Sequence, residues 1–225
     1  MALPKETIKG VIKYCNRDLV PDPSFTPDGQ YHNEWFQEYF SFLGDPATEA
    51  QLGDAFYQAR FIYKLMSGLH LPLAKQKGFV KFQIVQYASI CEAVLDVAIN
   101  KYFKEAAENE FSIEELVEYK NALSKDTKIT SGSKQLVLCV KKRKKGDLKR
   151  TRMDFKTKFG VSNGLVTQET KEEFDKLYDL RNNIHILKAT QRQYTPKLSE
   201  AKKAFILMRK FVSEIKDFYS SHASA

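Results

Sequence analysis

The chain has 225 residues, 43% of them hydrophobic and 12% aromatic, with only 10 Gly and 7 Pro, so it can bury a real core and is neither fibrous nor low-complexity. Its formal charge of +8 is concentrated: Lys141 to Lys158 holds ten basic and two acidic residues, so the rest is neutral on balance. Cys15, Cys91 and Cys139 are widely spaced, and His32, His70, His185 and His222 lack metal-ligand spacing; this argues against a disulfide framework and against metal or cofactor chemistry.

No stretch approaches the roughly 18 consecutive apolar residues of a membrane span, and the opening "MALPKETIKG" has no apolar secretion core. The expectation is a cytoplasmic protein with reduced thiols and no membrane partner. In chain order, three prolines and Asp28-Gly29 near residue 30 mark a loop. "YHNEWFQEYFSFLG" then places Tyr31, Trp35, Tyr39 and Phe42 on one stripe, as in a short helix ended by Gly44. Asp45 as N-cap and Pro46 at the first helical position open a second, well-buried helix.

The longest apolar helix follows, "FVKFQIVQYASICEAVLDVAINKYFKEAAEN", with Ile84, Ala88, Cys91, Leu95, Ala98 and Tyr102 in register. Glu92 falls inside its apolar face, where a carboxylate is costly unless it is paired. "FSIEELVEYKNAL" reads as a helix with Ser112 as N-cap and Glu115 closing a capping box. "QLVLCV", between "SGS" and Gly146, suits a small hairpin near residues 128–145 that carries the lysines, although a helix fits almost as well. "LKRTRMDFKTKFG" reads as a short helix and "VSNGLVT" as a loop. Two clear helices close the chain: "TQETKEEFDKLYDLRNNIHILK", capped by Thr167 or Thr170, and "PKLSEAKKAFILMRKFVSEIKDFYS".

The first of these two carries an anomaly. With Phe174 at zero and about 100° per residue, Leu177, Tyr178 and Ile184 define its buried face. On the same wheel Arg181 lands near 340° and His185 near 20°, within that apolar stripe. One explanation is structural: Arg181 ion-paired with Glu92, and His185 hydrogen-bonded in the core. The other is a cleft in which Arg181 binds a phosphate, His185 moves a proton and Asn182 donates from nearby. The basic segment supports a polyanion partner, with Lys141, Lys142, Arg143, Lys144, Lys145, Lys149, Arg150 and Arg152 as candidate nucleic-acid-binding residues. A solvated lysine-rich loop or a localisation tag would look the same.

"LRNNIHI" resembles the signature of the HEPN superfamily (higher eukaryote and prokaryote nucleotide-binding domains), an arginine and a histidine with four to six residues between them, often with asparagine after the arginine. "YASICEAVLDVAI" is similar to the first long helix of many such domains, including the acid in its apolar face. The resemblance covers roughly Gly78 to Ser220. It implies an all-α helical bundle that homodimerises, bringing two Arg…His sets to a shared cleft.

It also implies a metal-independent endoribonuclease acting on single-stranded RNA, in defence or toxin-like growth control, with an antitoxin or defence-system protein as a further partner. Arg181 would hold the scissile phosphate, and His185 would act as acid/base for attack by the ribose 2′-OH. Asn182 and Glu92 would support them. The alternative within the same resemblance is a non-catalytic module that binds RNA or a nucleotide, or acts as a partner subunit. Here three residues separate Arg181 from His185, one fewer than usual, and positions i and i+4 still share a helix face. Leu187 stands where antitoxin-modified relatives carry tyrosine. The expected organisation is an aromatic-rich helical extension over 1–70, then a HEPN-like domain over 71–225 with a basic insertion at 141–158.

Overall fold

The computed structural model of the chain describes residues 4–16, 34–118, 129–131, 134–136, 139–184 and 194–222. Helix α1 (Lys5–Asn16) packs on α3 (Pro46–Gly68), as does the short α2 (Glu34–Glu38). A 3-10 turn at Ser41–Leu43 separates α2 from α3 and ends at Gly44, whose φ of 76° is left-handed backbone that glycine adopts without strain. Asp45 then caps α3 with Pro46 in its first turn, and the Glu49 carboxylate accepts the N–H groups of Gly44 and Asp45 at 2.9 and 3.1 Å. The start of α3 lies where the sequence places it, whereas the helix expected to run to Gly44 ends at Glu38 and only the 3-10 turn reaches the glycine. Tyr31 is outside the described residues.

Helix α4 (Leu73–Tyr102) is the axis of the fold. Val80, Ile84, Ile90, Cys91, Val94, Leu95, Ala98 and Ile99 are all buried along it, and together they point in several directions around the helix. Such a helix needs cover on several sides. α3, α6 (Met153–Ser162), α7 (Gln168–Asn183) and α8 (Leu198–His222) provide it. By length and composition alone α4 could cross a bilayer; here those four helices pack against it.

The aromatic residues near the N-terminus belong to this same core. Phe56 of α3 meets Phe36 edge-on at 5.0 Å and lies 6.0 Å from Phe205 of α8. Phe42 meets Tyr219 of α8 edge-on at 5.2 Å.

After α4, the short α5 (Lys104–Glu110) leads into β1 (Ile113–Glu118). The helix expected from Ser112 onward is therefore a strand over its first six residues, and residues 119–123 lie outside the described ones. The apolar residues Ile113, Leu116 and Val117 suit a helical stripe as well as a strand. What decides is a distant partner: β1 pairs antiparallel with β4 (Cys139–Lys144), which sets Glu114 opposite Arg143, Glu115 opposite Lys142 and Val117 opposite Val140. Opposite charges across strands stabilise such a pair.

A hairpin does occur in the expected region, between β2 (Ile129–Ser131) and β3 (Lys134–Leu136). The lysines lie on β4 instead, against β1. The fold as a whole is mostly helical with these small antiparallel pairs.

Candidate functional site

Helix α7 is held at its N-terminus by α8. Thr167 caps it, its hydroxyl accepting from the Thr170 N–H at 3.2 Å. The Glu214 carboxylate of α8 accepts from the Thr167 N–H at 2.8 Å and from its hydroxyl at 3.1 Å. A carboxylate there also suits the positive end of the helix dipole. Phe174, fully buried, packs on Phe211 of α8 at 5.0 Å, and Leu177 is buried a turn later.

Beyond Leu177 the buried stripe opens. Tyr178, Arg181, Asn182 and Ile184 are half-buried. Arg181 therefore stands at the margin of the core rather than in the middle of it, although the helical arithmetic puts it on the correct face. Its guanidinium lies 4.9 Å from the Tyr178 ring centroid and 3.6 Å from the Glu92 carboxylate of α4. Both side chains of the ion pair keep 29% of their surface exposed. Glu92 thus has the cation expected for it, in a single long contact and not a closed bidentate bridge. His185 lies outside the described residues.

One turn along α4 from Glu92 is a second acid–base pair that the sequence reading missed. Asp96 accepts from the Lys156 ammonium of α6 at 2.8 Å, and Lys156 is only 3% exposed. Burial pushes the Asp96 carboxyl above its ordinary range; the Lys156 hydrogen bond and charge oppose this, and Glu92 adds to it. The other carboxylate oxygen of Asp96 is buried and has no hydrogen-bond partner among the described residues. Two carboxylates in register on α4 therefore face one cation from α6 and one from α7. The signal was present, since Asp96 follows Glu92 by four residues on an apolar helix. Lys156 was hidden as one more residue of a basic run.

The basic segment differs from expectation in its electrostatics. Residues 105–118 hold six Glu and no Lys or Arg, and the fold sets them against the +8 segment, leaving +2 for the two together. Lys141 meets Glu114 at 3.1 Å, Lys144 meets Glu115 at 3.1 Å and Lys145 meets Glu108 at 2.8 Å. Arg150 lies 3.5 Å from Asp147, and Arg152 engages both carboxylate oxygens of Asp154 at 3.1 and 3.0 Å. Arg143 donates to the Ser112 hydroxyl at 2.8 Å, so Ser112 anchors the ribbon and does not cap a helix. Lys142 and Lys149 are exposed beside them.

Five of these basic side chains, Lys141, Lys144, Lys145, Arg150 and Arg152, thus pair with acids of α5, β1 and their own segment, while Glu92 pairs with Arg181. Among the described residues, no group of three or more His, Cys, Asp or Glu side chains is gathered as for a metal ion. Compared with family models, with curated proteins and with solved structures, the chain matches none.

Proposed function

We propose that the chain is a HEPN-type protein that acts on RNA, a metal-independent endoribonuclease cleaving single-stranded RNA by 2′-OH attack. The observation that carries this reading is the state of Arg181. It is charged, half-buried, aimed by Tyr178 and Glu92, and still open to solvent. A guanidinium already oriented by a carboxylate and a ring loses little freedom when a phosphate replaces or joins the carboxylate. In the partly desolvated margin between α4 and α7 its charge also acts more strongly on a developing phosphorane than it would in water.

In this reading Arg181 binds the scissile phosphate and His185 transfers the protons of the transesterification. Glu92 orients Arg181, and Asn182 donates from the same turn. The products carry a 2′,3′-cyclic phosphate and a 5′-OH. Two copies would bring two such sets together in a homodimer, with a role in defence or toxin-like growth control and a neutralising partner protein.

The test is cleavage of end-labelled single-stranded RNA in EDTA by wild type, Arg181→Ala and His185→Ala. Wild type should release cyclic-phosphate ends, and both variants should lose activity by a factor of a hundred or more while keeping their helical circular dichroism; general acid–base catalysis alone contributes about 10²–10⁴-fold. Equal cleavage by wild type and both variants would trace it to a contaminant and sink the proposal. The Glu92 contact also favours a second reading, in which Arg181 clamps α7 to α4 in a non-catalytic RNA-binding or partner subunit. That reading predicts RNA binding without cleavage by any variant.

A further inference from the structure

A second feature of the molecule stands apart from the Arg181 margin. Between the end of α5, the β1–β4 ribbon and the start of α6 lies a cleft of about 550 Å³, within the roughly 300–1,000 Å³ typical of small-ligand sites. Its apolar surface comes from Phe111, Ile113 and Phe155. Phe111 is fixed from behind by Phe159 at 5.3 Å. Phe155 is different. Its helix neighbours Met153 and Phe159 are in the core, yet Phe155 itself is 53% exposed at the cleft.

Around these rings stand four cations, Lys144, Lys145, Arg150 and Arg152, against three acids, Glu110, Glu115 and Asp147. The Arg152 guanidinium lies 5.8 Å from the Phe155 ring centroid and is held by Asp154. The side chains of Lys145, Arg150 and Arg152 are 77%, 82% and 77% exposed, so their ion pairs are weak and a phosphate can displace the carboxylates. Gly146 closes the floor: a Cβ there would stand 2.6 Å from Phe111 Cβ.

Charge alone would suit any polyanion. An exposed ring beside guanidinium groups in an apolar cleft suits a base whose face is free, as in single strands and not in duplexes. The Glu110 and Asp147 carboxylates at the lining can accept a ribose 2′-OH, which DNA lacks. We propose that this cleft binds one unstacked nucleotide of single-stranded RNA, its base on Phe155 and its phosphates on Lys145, Arg150 and Arg152. The inference rests on the RNA-directed reading above and places substrate capture away from Arg181.

The experiment is fluorescence anisotropy of the full chain with a labelled single-stranded RNA of mixed sequence, in the His185→Ala background so that the probe stays intact. Phe155→Ala should weaken binding about tenfold, as loss of one base–aromatic stack does, and Phe155→Tyr should restore it. Arg152→Gln should weaken binding and flatten its dependence on salt. Phe79→Ala, at a 37% exposed ring on α4, should leave it unchanged. Binding that Phe155→Ala does not alter would overturn the cleft while leaving the RNA reading intact, and a matched DNA strand bound as tightly as RNA would overturn the choice of ligand. No binding of RNA by the parent chain would remove the RNA reading, and the cleft proposal with it.

Discussion

Arg181 and Lys156 make the same type of contact to neighbouring carboxylates on α4, and their surroundings give the two contacts different weight. The Arg181–Glu92 pair is long, at 3.6 Å, and both members are partly exposed. That places it near the surface class, where a pair contributes about 1 kcal/mol or less. Lys156 is 3% exposed and bonded to Asp96 at 2.8 Å. Removing one partner of a buried pair costs about 3–5 kcal/mol, because the other charge is left without compensation.

Urea unfolding should therefore show Arg181→Ala within about 1 kcal/mol of wild type and Lys156→Met lower by about 3 kcal/mol. A reversed order would mean that Arg181 is the structural clamp. Asp96 adds a pH test. Burial raises its carboxyl, so the native state keeps that proton to higher pH than the unfolded chain does. Its contribution is full below the ordinary carboxylate value and is lost as pH rises through the raised one. Wild type should accordingly lose stability relative to Asp96→Asn across that interval. A gap widening in favour of wild type would show that the ion pair with Lys156 governs the titration.

At the scale of elements, the β1–β4 ribbon matters most, since a two-stranded pair is marginal without added support. Much of its support is electrostatic, with Lys141 on Glu114 and Lys144 on Glu115, and all six residues of β4 are exposed. Replacing Glu114 and Glu115 by Lys should loosen the ribbon and speed proteolysis between residues 111 and 146. The global unfolding midpoint should move little, because the helical core owes nothing to that charge. A large fall in the midpoint would make the ribbon part of the folding core.

The same element explains where local reading stops. Ser112 and Glu115 have the spacing of a capping box, and Ile113, Leu116 and Val117 have the spacing of a helix face, so nothing within those residues argues for a strand. β4 lies more than twenty residues further on, and pairing across that distance leaves no local mark. α3, α4, α7 and α8 were readable because a helix carries its period within itself, although the helix expected to continue through "KEAAEN" ends at Tyr102 and gives way to α5.

Over the whole molecule, Phe56 sits where α2, α3 and α8 meet, touching Phe36, Tyr39 and Phe205, and is 2% exposed. Phe56→Ala should cost about 3–5 kcal/mol and lower a single transition seen alike by circular dichroism and tryptophan fluorescence. Two separated transitions would instead mark the N-terminal helices as an independent unit.

By itself the sequence determined the long helices α3, α4, α7 and α8, the need of Glu92 for a cation and the face on which Arg181 lies, because each follows from spacing along one element. Tertiary structure alone decided three things: that the buried stripe of α7 opens before Arg181, that acidic α5 and β1 together offset much of the basic segment, and that Phe155 faces a cleft. Each depends on which distant residues come together, and a helical period or a local charge count holds no record of that.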